Sequence, residues 1–151
     1  MPEKRTVQRA RKAARQGKAP STQAGEFVRE EIHHVREGKH GARSPQQAIA
    51  IGLSKARRSG VKLSPPKKGT TSARTRQQAK RDIKKGQRGR KSTSTRRAAA
   101  TRKALKRESL SSTSRSAMSR QAKRAWHRRR TRGTATSTST RTTSRSGTRR
   151  K

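Results

Sequence analysis

Apolar residues recur at three- and four-residue steps in three runs within the first sixty positions, and helix punctuation brackets each run. From Glu3 to Gln16 the chain is made of good helix formers. Val7, Ala10 and Ala14 line one narrow stripe there, and Gly17 falls where a C-terminal cap belongs. After Pro20, the positions Ala24, Phe27, Val28, Ile32 and Val35 mark a second helix, with Ser21 as N-cap and Gly38 as stop. The third run has the clearest start, because Ser44-Pro45-Gln46-Gln47 combines an N-cap, a proline at the first helical position and a capping-box Gln. Ala48, Ile49, Ile51, Leu53 and Ala56 give it an apolar side, and Gly60 ends it. Residues 38–43 have the length of a loop joining antiparallel helices. The pattern predicts a helical hairpin over 21–63, packed through Phe27, Val28, Ile32, Val35, Ile49 and Leu53. A basic helix over 1–20 is packed on it or free.

Beyond Leu63 the periodicity thins. Residues 64–73 read as a Pro/Gly-rich linker, 74–130 as a basic, helix-prone tail, and 131–151 as a disordered Ser/Thr/Arg-rich end. Within the tail, Arg74 to Lys85, Thr95 to Leu110 and Ser114 to Arg130 are helix candidates once their charge is neutralised. Each carries one large apolar residue near its end: Ile83, Leu105 and Trp126. The expected fold class is therefore mostly α with extensive disorder, a small N-terminal helical hairpin of two or three helices followed by a long low-complexity tail.

Composition sharpens this picture. Leu, Ile, Val and Phe number thirteen in 151 residues, too few for a self-sufficient large core. Forty-five Lys and Arg face seven Asp and Glu, a net charge of +38. Residues 1–63 hold 15 basic and 5 acidic residues, and residues 64–151 hold 30 and 2, so the charge steps up near Ser64. A compact monomer of such charge repels itself, and the partner that compensates it best is a polyanion. Four of the acidic residues, Glu26, Glu30, Glu31 and Glu37, lie on the second helix, which suits that element to pairing with a basic neighbour rather than with phosphate.

Candidate nucleic-acid contacts follow from the cationic clusters. They are Arg5, Arg9, Arg11 and Lys12; Arg57, Arg58 and Lys62; Lys67 and Lys68; Lys80, Arg81, Lys84 and Lys85; Arg102, Lys103, Lys106 and Arg107; and Lys123, Arg124, Arg128, Arg129 and Arg130. Trp126, set among the last group, offers a ring for base stacking or for packing on Met118 and Ala122. Glu30-Glu31-Ile32-His33-His34 contains Glu and His at three-residue spacing, a fragment of carboxylate-bridged metal sites, but no second copy occurs in the chain. Pairing of Glu30 with His34 or His33 with Glu37 accounts for these residues, and neither a metal nor another cofactor is expected. No nucleophile–base constellation, phosphate-binding Gly loop or catalytic carboxylate pair is recognisable, so the reading is of a non-enzymatic protein. Cysteine is lacking, and neither a secretory signal nor a membrane span is expected.

The segment Ser21 to Leu63 resembles a family of short, basic bacterial proteins that carry a domain of unknown function and are often labelled DNA-binding. AGEFVREEI, residues 24–32, and GKHGARSPQQAIAIGLSKARR, residues 38–58, carry the likeness. The tail resembles, in composition, the Lys- and Ala-rich tails of bacterial histone H1-like proteins. Ser64-Pro65-Pro66-Lys67-Lys68 is similar to the Ser-Pro-Lys-Lys turns of linker-histone tails, with an extra proline. The resemblance implies a bacterial origin and a place in the cytoplasm, at the nucleoid.

The function expected is sequence-independent DNA binding by phosphate neutralisation, with compaction as its consequence. RNA binding or ribosome association is one alternative. The other is a module in which residues 21–63 bind a partner or form a homo-oligomer, the tail serving as a localising anchor. No membrane partner is expected.

Overall fold

In a computed structural model, the backbone is described for residues 2–88 and 94–141 and the side chains as far as Thr131. The described residues form helices α1 (Lys4–Arg15), α2 (Pro20–Arg36), α3 (Pro45–Arg58), α4 (Ala73–Gln87), α5 (Thr95–Lys106) and α6 (Arg115–Arg141), with a 3-10 turn at Ser111–Thr113. The described residues divide into two compact units between Ser114 and Arg115.

The helix signals of the first sixty residues act as the pattern predicts, with two local differences. Gly17, Gly38 and Gly60 take positive φ values of 68, 73 and 92° just past their helices. Ser44 Oγ accepts the Gln47 N–H at 3.2 Å, the expected N-cap. The Gln47 side chain, however, accepts from Arg43 N at 3.0 Å, so the capping box closes one residue early. At α2 the N-cap is Ala19, with Pro20 at the first helical position, and Ser21 lies inside the first turn. Proline's fixed φ and missing N–H start the helix there without a side-chain cap.

α2 and α3 form the hairpin. Phe27 clusters with Ala56, and Val35 clusters with Ala42 and Ala48, so the register rises along one helix as it falls along the other. α1 joins them through Ala10, with Val7, Leu53, Val61 and Leu63 partly buried against the same cluster. Phe27 and Val35 are the large apolar residues fully buried, and every other buried apolar residue described is an alanine. Val28, Ile32, Ile49 and Leu53 of the expected packing set are only partly buried. With so little apolar bulk, tight backbone approach replaces side-chain interdigitation. At Gly52 a Cβ would stand 2.7 Å from Val28 Cα and 2.9 Å from Val28 N, so α3 rests directly on the backbone of α2.

The boundary expected near Ser64 marks a change of charge and not a boundary of structure. α4 packs on α3, and Asp82, 1 % exposed, accepts from Ser54 Oγ at 2.7 Å and Arg58 Nε at 2.8 Å. Farther on, Gly41 N and Ala42 N donate to Leu105 O and Ser109 O at 2.9 and 3.0 Å, and Arg36 Nε donates to Thr113 O at 2.9 Å. The residues after α5 thus close over the end of the hairpin, with Gly41 against the backbone of Glu108. Besides the buried Ala79 of α4, these joints use backbone amides, Arg36 and Asp82, groups that leave no apolar period in the sequence. A hairpin of two or three helices accordingly understates the fold. α6, the second unit, carries the helix expected from Ser114 to Arg130 on to Arg141; the remainder of the end expected to be disordered, 142–151, lies outside the described residues.

Candidate functional site

Two arrangements of charge stand out, one outside and one inside. On the outside, every described Lys and Arg side chain is exposed apart from Lys55, Arg57 and Arg76. Arg5, Arg11 and Lys12 on α1 face solvent, as do Lys62, Lys67 and Lys68 on the segment after α3. So do Lys80, Arg81, Lys84 and Lys85 on α4, and Arg102, Lys103, Lys106 and Arg107 at the end of α5. On α6, Lys123, Arg124, Arg128, Arg129 and Arg130 are exposed around Trp126, itself 48 % exposed. The guanidinium of Arg130 lies 4.5 Å from the Trp126 ring centroid and His127 meets the ring edge-on at 5.0 Å, so one face of the indole is already covered.

Three of the candidate contacts are spent on the fold. Arg57 is 9 % exposed, its Nε donating to Leu63 O at 3.4 Å, and burial lowers its guanidinium below the ordinary arginine value against the opposing pull of Asp82. Arg58 is tied to Asp82, and Arg9 reaches Glu26 at 2.9 Å across α1 and α2. Both keep about half of their side chains in solvent, 50 % and 49 %.

On the inside, α2 turns its carboxylates toward the core. Glu30 is 4 % exposed and Glu31 fully buried, because both lie on the face of α2 that α1 and α3 cover. Lys55 of α3 supplies the counter-charge, 2.5 Å from Glu31 Oε2 and 3.7 Å from Glu30 Oε1. Glu30 also accepts the N–H of Glu3 at 3.2 and 3.3 Å, fixing the start of α1. The Glu3 carboxylate then meets His34 Nε2 at 2.8 Å, and His40, from the loop after α2, places Nε2 3.2 Å from Glu31 Oε1. His34 and His40 stand edge to face, 6.2 Å between centroids. The His34 hydrogen bond is the main cause holding the Glu3 carboxyl below its usual value. Lys39 does the same for Glu37, which in turn raises Lys39.

Of the pairs expected on α2, His33 with Glu37 is present at 3.0 Å, whereas His34 turns to Glu3 instead of Glu30. Sequence reasoning singled out Glu30, Glu31 and His34 but missed Glu3, His40 and Lys55. Glu3 and Lys55 are distant in the chain and His40 lies in the loop after α2, and the faint signal for them was the placement of carboxylates on an otherwise apolar stripe.

Residues 3–68 match a family of unknown function, DUF6496. The matched segment takes in α1, α2, α3 and the proline-containing exit, and begins at Glu3, so it contains every member of the buried charge cluster. No curated protein and no solved structure matches the chain. Among the described residues no helix is long and apolar enough to cross a membrane.

Proposed function

We propose that this protein binds nucleic acid without sequence preference, with duplex DNA of a bacterial nucleoid as its partner and histone H1-like compaction as its role. One observation carries the reading: the fold withdraws acid and presents base. Glu26, Glu30, Glu31 and Asp82 are buried or nearly so, and the exposed Glu3 and Glu37 are both within reach of Lys39. The outer surface is left almost purely cationic, which is the arrangement phosphate neutralisation needs. The acidic second helix, which looked ill suited to DNA, is thereby explained as an internal counter-charge. That removes the main motive for reading residues 21–63 as a partner-binding module.

The test is the salt dependence of binding to unrelated duplexes, using the full chain and a variant with Lys123, Arg124, Arg128, Arg129 and Arg130 changed to Gln. Each phosphate left without its cation should lower the slope of log affinity against log salt by about 0.9, so the slope of the variant falls by up to about 4 to 5. An unchanged slope removes α6 from the interface, and absence of binding at low salt refutes the proposal. Preferential competition by structured RNA at matched salt would move the assignment to RNA.

A further inference from the structure

We infer that Glu31, His34 and His40 form a binding site for a zinc-type divalent metal ion, which pins the α2–α3 loop to α2. One candidate ligand atom from each residue lies within 4.8 Å of the others, and the side chains of the two histidines are 11 and 15 % exposed. Imidazole nitrogen with carboxylate oxygen is the donor set of zinc and its neighbours in the first transition row.

Three observations point to a cation here beyond the clustering itself. First, neither carboxylate oxygen of the fully buried Glu31 accepts an aligned hydrogen bond; Lys55 stands 2.5 Å from Oε2 and His40 3.2 Å from Oε1. A buried carboxylate draws cationic partners, and here Lys55 takes one oxygen while the other faces an imidazole. Second, His40 Nδ1 lies 3.1 Å from Gly41 O, a contact that orients the ring with Nε2 facing Glu31 Oε1. That is the orientation a backbone carbonyl imposes on a metal-ligating histidine. Third, three carboxylates, those of Glu3, Glu30 and Glu31, meet in this pocket, where Lys55 reaches Glu30 and Glu31 and Lys39 reaches Glu3 at 3.5 Å. Glu3 Oε1, 2.8 Å from His34 Nε2, stands where a fourth ligand would come from.

A domain whose core is mostly alanine gains in proportion from such a staple, since the metal's binding free energy adds to folding. The experiment takes the full chain after chelator treatment and adds cobalt(II) and, separately, zinc. Expected are a visible d–d absorption band saturating at one cobalt per chain and a zinc-induced rise in melting temperature on the order of 10 °C at saturation. Both should vanish in His40→Gln and in the near-isosteric Glu31→Gln, and both should persist in His33→Gln, whose ring is exposed. If His40→Gln does not fold, Glu31→Gln decides. No cobalt band in the unaltered chain, or binding that survives Glu31→Gln and His40→Gln, overturns the site.

Discussion

Gly52 and Gly25 receive the same substitution and should respond with opposite sign. At Gly52 an added Cβ meets Val28 Cα at 2.7 Å, Val28 N at 2.9 Å and Phe27 O at 3.0 Å, all main-chain atoms of α2. Ordinary contact begins near 3.4 Å, so α2 and α3 must part by about 0.7 Å, and no rotamer change can absorb it. A gap of that size forfeits about a quarter to a half of the dispersion attraction across the interface. Overpacking of this kind costs about 1 to 3 kcal/mol, against which alanine's better helix propensity returns about 1 kcal/mol. Gly52→Ala should therefore lose stability by as much as about 2 kcal/mol. Gly25 lies on α2 with nothing within 4 Å of the same Cβ, so Gly25→Ala keeps the propensity gain alone. The assay is the helical circular dichroism signal of the full chain followed through thermal melting, where 1 kcal/mol corresponds to about 4 to 8 °C in a domain of this order of size. Gly25→Ala should melt higher than the parent and Gly52→Ala lower. A Gly52→Ala protein that melts above the parent, as Gly25→Ala should, would refute the direct backbone seating of α3 on α2.

Lys55→Met strands the buried Glu30 and Glu31 without their counter-charge and should cost about 3 to 5 kcal/mol in urea denaturation. Adding Glu31→Gln to that variant should recover part of the loss, and additive effects would dismiss the pairing. The pH dependence of melting has two limbs. Glu3 and Glu37 have folded-state pKa values below their usual 4.5, so the stability they add is present above that value and is lost as pH falls through the folded values. Lys39 is raised above 10.5, so its contribution is complete below 10.5 and disappears as pH climbs through the folded value. Lys39→Ala should flatten the alkaline limb and shrink the acid one, and melting curves that keep both limbs would contradict the Glu3–Lys39–Glu37 contacts.

The sequence by itself determined the helices and the electrostatic character. Proline, glycine and Ser44 act on neighbouring backbone, so helix ends near 17, 38, 44 and 60 are legible without tertiary information, and Phe27 and Val35 fall inside as their spacing requires. Net charge is a sum over residues and needs no fold at all. Only the tertiary structure decided that Glu30 and Glu31 join Phe27 and Val35 on the inward side of α2. A helical pattern that mixes Ile32 and Val28 with Glu30 and Glu31 assigns burial by hydrophobicity, whereas the chain buries the two carboxylates because Lys55 meets them from α3. The joining of residues 73–113 to the hairpin was equally hidden, since it runs largely through Asp82, Arg36, Gly41 and backbone amides, groups whose partners depend on position in space and leave no period along the chain. The meeting of Glu3 with His34 belongs to the same class, because a contact across 31 residues of sequence is fixed by how helices pack and not by how they begin and end.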